Sequence, residues 1–255
     1  MGFNMGKVYN EVESEIEPTG SWQEASSGNL PKAGYPVSAF WAFRFIGLNP
    51  EHGGPMFDLS GSELEEAKRD ATLYMDYAGK MEPDFNCGVS FSIRYKTLSL
   101  SSGLYLSVGN QIYLAPLGKM TQSIPSEYEN MSTEWVKRWR KPGDEKITNV
   151  PSLPNMISSA KTIKVVGEET NPYDMYANST IRVVDAWYLR CGSISLSYSL
   201  PERLLPGTLQ HLGFTFSLGN PFQIRSKDFK GRDPEVALGG QPLSRTMSLG
   251  VSVSF

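Results

Sequence analysis

The side chains able to do acid–base, metal or nucleophilic chemistry are few in this sequence, and their spacing supports none of it. The two histidines are His52, in the run Glu51-His52-Gly53-Gly54, and His211. Neither has flanking ligands at the spacing a tetrahedral zinc site needs, and neither sits in a pattern that pairs it with a nucleophile, so both read as loop or interface histidines. Cys87 and Cys191 also stand outside any metal spacing. They could pair in an oxidising compartment, but the preferred reading is two small side chains in strands. The acidic run from Ser62 to Asp70 lacks the Asp-x-Asp-x-Asp-Gly order of a calcium loop and reads as a solvated helix face. Trp135, Trp139, Tyr173 and Tyr176 are candidate ligand- or partner-contacting rings, with packing inside a long loop as the favoured competing assignment. No catalytic residue, metal site or cofactor is assigned, and the chain is read as a non-enzyme.

The totals narrow the classes further. The chain has 255 residues, 40% hydrophobic and 20% charged, with 24 Gly and 17 Pro, which is the composition of a folded protein. A formal net charge of -3 with scattered Lys and Arg provides no basic stripe for a phosphate backbone, so nucleic acid is excluded as a partner. No stretch of about 18 apolar residues exists, so no transmembrane helix is expected. A barrel strand escapes that test, because it needs only about 9 to 11 residues and half of them can be polar. The first residues show no charged region followed by an apolar core, so no signal peptide is expected; either the protein is cytosolic or the chain lacks its true beginning.

The elements that would carry these residues are strands. From Arg245 to Phe255 the chain alternates without a miss, with Met247, Leu249, Val251, Val253 and Phe255 on one face and Thr246, Ser248, Gly250, Ser252 and Ser254 on the other. A period of two puts successive side chains on opposite sides of a sheet. The same pattern recurs over 86–95, 98–108, 187–200 and 212–219, and 86–95 and 98–108 form a hairpin whose tight turn at Lys96-Thr97 is of open type. Val37 to Ile46 predicts a further strand, Ser60 to Ala71 a helix with a Ser62/Glu65 capping box, and Ser132 to Arg138 a short helix. Residues 1–36 are read as an N-terminal loop with a remnant strand around Lys7 to Val12, and 114–180 as a long irregular, functional loop.

Connection lengths and face composition distinguish a membrane barrel from a soluble sandwich. The breaks at 96–97 and 201–207 are short, whereas 47–84, 114–186 and 221–242 are long, the asymmetry of periplasmic turns against external loops. The polar faces are Ser, Gly and Thr rather than the Lys and Glu of a solvated surface. The expected fold is therefore all-β: antiparallel strands forming the C-terminal portion of a large transmembrane barrel over residues 37–255, with long extracellular loops carrying short helices.

Several motifs, in order, carry a resemblance. They are Gly34-Tyr35-Pro36 followed by aromatics and Gly47-Leu48-Asn49-Pro50-Glu51, Pro83-Asp84-Phe85 ahead of a strand, and Trp139-Arg140-Lys141-Pro142. Most specific are Trp187-Tyr188-Leu189-Arg190 with its strand to Pro201, Asn220-Pro221-Phe222, Gly231-Arg232-Asp233-Pro234-Glu235, and Pro242-Leu243-Ser244-Arg245 before the terminal Phe255. From Gly34 onward the chain resembles the C-terminal part of SusC/RagA-type TonB-dependent outer-membrane transporters. The resemblance implies a segment of a 22-stranded plugged barrel importing oligosaccharides or peptides, located in the outer membrane. It also implies a SusD-like lipoprotein lid, TonB acting through a region this chain does not contain, and the barrel-assembly machinery as partners. The plug and TonB-interacting segment are missing, and only about five or six strands are supplied, so a non-transporting fragment is expected. Phe255 would be the signal read by the assembly machinery or a member of the interfacial aromatic girdle, and the four loop rings would meet a sugar or the lid. The alternative from another class is a soluble all-β glycan-binding module.

Overall fold

A computed structural model describes residues 1–13, 17–118, 131–154, 162–230, 233–236 and 240–255. In chain order the strands are β1 (Gly2–Lys7), β2 (Ala39–Leu48), β3 (Pro55–Asp58), β4 (Met75–Lys80), β5 (Phe85–Tyr95), β6 (Leu98–Val108), β7 (Gln111–Tyr113), β8 (Ile163–Val165), β9 (Glu168–Thr170), β10 (Val183–Asp185), β11 (Tyr188–Ser199), β12 (His211–Arg225) and β13 (Thr246–Ser254). Two short α-helices join them, α1 (Trp22–Ser26) and α2 (Pro172–Ala177). The chain divides into two units. One comprises Met1–Tyr9, Pro83–Asn110 and Asp185–Phe255, and the other Asn10–Glu82 and Gln111–Val184.

The first unit is one antiparallel six-stranded sheet in the order β1-β5-β6-β11-β12-β13. Its ladders follow the alternation, because a slip of one residue would turn every apolar side chain to the other face. β5 and β6 pair from Phe85↔Val108 to Tyr95↔Leu98, leaving a two-residue turn in which Lys96 adopts a φ of 53°. The alternation of β11 changes phase midway: Leu189 and Cys191 are apolar at odd positions, Ile194 and Leu196 at even ones. A β-bulge absorbs the change, since Cys191 pairs with Leu104 and Ser193 with Gly103, leaving Gly192 as the extra residue. The sheet is open, with β1 and β13 at its edges.

The second unit is built from the two long connectors, β1 to β5 and β6 to β11. Its central strand β2 lies between β3 and β4. Ala39 to Phe43 are buried without alternation, so both faces of β2 are covered. Trp41 and Phe43 join a core with Leu30, Tyr74, Met75, Val165 and Met175, while Phe40 and Ala42 pack on the other side with Tyr113. Tyr113 donates its hydroxyl to the Trp41 carbonyl at 2.7 Å, satisfying the one polar atom that its burial would orphan.

Several local expectations change here. The strand over 37–46 forms, but its ladder partners are β3 and β4, and β1 takes the first place in the large sheet. A continuous apolar run marks a strand covered on both faces, unlike the strict alternation of the sheet strands. The remnant strand lies at Gly2–Lys7, ahead of the expected Lys7 to Val12. The expected helix over Ser60 to Ala71 is replaced by two 3-10 turns, Glu65–Lys68 and Ala71–Leu73; Leu64 stands at the first N-cap, and the Gly61 N–H bonds to Glu63. The capping box occurs instead at Ser21 and Glu24, opening α1. The short helix near 132–138 is a 3-10 turn over Thr133–Lys137 capped by Ser132. β12 runs on to Arg225, past the expected end of that strand. Gly231 and Arg232 lie outside the described residues, as do parts of the 114–180 loop.

Candidate functional site

The ladder registers of the first unit fix which side chains share a face. Ile93 pairs with Leu100, Leu100 with Leu196, Leu196 with Phe216 and Phe216 with Leu249, a row of apolar side chains crossing five strands. A parallel row runs Tyr95, Leu98, Tyr198, Phe214 and Val251, and another, starting in β1, runs Phe3, Val89, Leu104, Cys191 and Phe222. Apart from Cys191, which is buried, these side chains are not gathered into a core. Ile93 is 60% exposed, Tyr95 69%, Met247 75% and Leu249 74%. Apolar patches of this extent are seldom left bare to water by a soluble monomer.

The opposite face is read from the same pairs. Ser92, Ser101, Ser195, Ser217 and Ser248 form one row, and Arg94, Ser99, Ser197, Thr215 and Gly250 the next. Neighbouring hydroxyls bond across the ladder, Ser195 to Ser217 at 2.8 Å and Ser197 to Thr215 at 3.2 Å. Small hydroxyl side chains satisfy one another here and leave space in front of the sheet.

Toward the Arg225 end of β12 this polar face carries an ion cluster. Arg190 of β11 meets Asp233 of the β12–β13 connector at 2.5 Å, and its Nε lies 2.5 Å from Glu235. Asp233 also accepts from the Gln223 amide at 3.2 Å and from the N–H groups of Glu235 and Leu243 at 3.1 and 3.4 Å. Burial pushes the Asp233 carboxyl up, but these four donors outweigh it and hold it below the usual carboxylate range. The connector is thereby pinned to β11 and β12. Beside the cluster lies a cavity of about 260 Å³ whose walls include Arg190, Asn220, Gln223, Arg225 and Arg245.

The four loop rings lie in the second unit. Trp135, Tyr173 and Tyr176 share a cluster with Leu117, and Trp139 is likewise buried. Trp135 donates to the Leu117 carbonyl at 2.9 Å, Trp139 to Glu145 at 3.2 Å, Tyr173 to the Ser152 carbonyl at 3.0 Å and Tyr176 to the Asn149 carbonyl at 3.0 Å. Burial pushes the Tyr176 hydroxyl up to about 12. Trp139 rests on Gly53, where a Cβ would come within 2.3 Å of the indole and where φ is +68°, so only glycine fits. Arg182, fully buried, binds Glu134 at 2.9 Å and the Ala115 carbonyl at 2.6 Å, tying the 133–137 turn to the rest of the unit. Sequence reasoning missed this pair, because its members stand 48 residues apart and neither belongs to a motif.

The remaining polar candidates are placed without a shared centre. His52 accepts the Gly54 N–H at 3.1 Å, and its carbonyl accepts from Ser152, which makes it a turn residue. His211 opens β12, with Ser252 at 3.5 Å. Cys87 and Cys191 are both free thiols in strands of the large sheet. Among the described residues no group of three or more His, Cys, Asp or Glu is arranged to hold a metal. Phe255 follows β13 and is 81% exposed.

No protein-family model matches the chain, and no curated protein does. Solved structures do. The chain is similar to part of a RagAB peptide transporter structure at 20% identity and a TM-score of 0.59, over 90% of this chain and 24% of that one. It is similar at 21% identity and the same TM-score to RagAB peptide importer structures in the open-open and closed-closed states, over 89% of this chain and 23% and 24% of theirs. The chain thus spans about a quarter of the length of the solved chains it matches. At this identity the likeness is one of fold: antiparallel strands arranged as in part of a transporter barrel.

Proposed function

We propose that this chain is the C-terminal barrel segment of a TonB-linked outer-membrane receptor, with no enzymatic role. The observation that carries the reading is the apolar face that crosses the six strands bare, with a face of serine, glycine and threonine behind it. Lipid is the environment in which such a face is covered without a second sheet, and a lumen is where small hydroxyl side chains belong. The two open edges support a larger closed barrel, because unpaired strand edges cannot persist in hydrocarbon. The complete receptor would import peptides or oligosaccharides beneath a SusD-like lipoprotein, with TonB acting through its N-terminal region. This segment alone would not transport.

Detergent dependence tests the reading. The chain should aggregate in plain buffer and stay in solution only with detergent. A chain that is monomeric and folded in plain buffer overturns it in favour of the soluble glycan-binding module. Phe255 is assigned the assembly signal, and its deletion from the full receptor should lower the amount reaching the outer membrane. Unchanged abundance would leave Phe255 only the girdle role.

A further inference from the structure

We propose that the cavity bordered by β12 and its connector to β13 binds the carboxylate of a small amphiphilic solute, with Arg225 and Arg245 as the anion-holding side chains. Three arginines line the cavity, but they are not equivalent. Arg190 is already engaged with Asp233 and Glu235. Arg225 and Arg245 have no acidic partner among the described residues. Among the described residues of the cluster and the cavity, three guanidiniums face two carboxylates, so one positive charge is left to be matched.

That balance selects the ligand class. A single carboxylate neutralises the site, whereas a phosphate dianion would overcharge it. The planar guanidinium fork also matches a carboxylate with two parallel N–H bonds. Gln223 gives one amide hydrogen to Asp233 and Asn220 gives one to the Ser244 carbonyl, so each retains a second N–H for an anion. Pro242 and Leu243 supply a short stretch of apolar wall in a lining that is otherwise mainly polar. The volume of about 260 Å³ limits the occupant to a few heavy atoms beyond the carboxylate. The Asp233 cluster pins the described part of the connector to β11 and β12.

The test titrates the full chain, folded in detergent at low ionic strength, with sodium hexanoate by calorimetry, with hexylammonium chloride and inorganic phosphate as separate arms. Hexanoate should bind saturably, hexylammonium should not, and phosphate should bind more weakly than hexanoate. The double variant Arg225→Gln/Arg245→Gln should weaken hexanoate about tenfold or more, the loss expected for charge-assisted hydrogen bonds. Circular dichroism shows whether that variant keeps the strand content of the parent chain, and Arg225→Lys/Arg245→Lys, which keeps the charge, should recover part of the affinity. Equal hexanoate binding by the glutamine variant, tighter phosphate than hexanoate, or no saturable binding by the folded chain overturns the proposal. None of these outcomes bears on detergent dependence, so the barrel reading stands or falls separately.

Discussion

Leu249 and Phe43 are both apolar residues in strands, and they meet opposite surroundings. Leu249, in the large sheet, is 74% exposed, whereas Phe43, in β2, is 0% exposed and touches Trp22, Phe57 and Tyr74. The first unit arranges its apolar side chains in rows along one face and leaves that face open. The second draws its core from two connectors distant in sequence, Trp41 and Phe43 from one and Val165 and Met175 from the other. A strand covered on both faces and a sheet with one apolar face thus call for different sequence patterns, a continuous run in the first case and alternation in the second.

Substitutions sharpen the contrast. Phe43→Ala should cost the second unit about 4 kcal/mol, the range for deleting a fully buried aromatic, read as a lower denaturant midpoint of tryptophan fluorescence. Leu249→Ala should leave that midpoint unchanged, and equal effects would break the distinction. Arg182→Ala should cost about 3 kcal/mol, because it removes the buried guanidinium that bonds Glu134 and the Ala115 carbonyl. Its readout is faster proteolysis around the 133–137 turn.

In the large sheet the faces themselves can be interchanged. In the complete receptor, Leu249→Arg should cost about 2 kcal/mol in lipid vesicles, while the adjacent Ser248→Arg should cost less, since it points to the polar face. Refolding yields into vesicles measure both, and equal losses would undo the assignment of faces. The smallest effect is expected from acid at Asp233. A carboxyl held below its ordinary value of 3.8 contributes stability that is complete above that value and is lost as pH falls through its own lower one. Protease cleavage of the β12–β13 connector should therefore rise only below about pH 4. The change should be small because the backbone N–H groups can still bond a protonated carboxyl.

Much of the first unit was legible in the sequence because alternation is local. Five of its six strands, the Lys96-Thr97 turn and the opposition of serine to apolar faces follow from a period of two. β1 was not legible, since Gly2–Lys7 is short and only its pairing with β5 identifies it. The second unit was legible only in fragments. Val37 to Ile46 was visible as a strand, but its apolar run does not say which strands flank it. Glu65 follows Ser62 at capping-box spacing, yet the chain there forms only 3-10 turns. The motif series located Arg190 and the Asp233 segment without showing that they meet.

The sequence by itself determined five strands of the large sheet, the turn between β5 and β6 and the chemical character of each sheet face, because these depend on neighbours two residues apart and on turn length. Only the tertiary structure decided that residues 10–82 and 111–184 share one core, that Arg182 pairs with Glu134, and that Asp233 fastens the last connector to β11. Those contacts join residues tens of positions apart, and their stability comes from excluding water around groups that carry no mark of their partner in the local sequence.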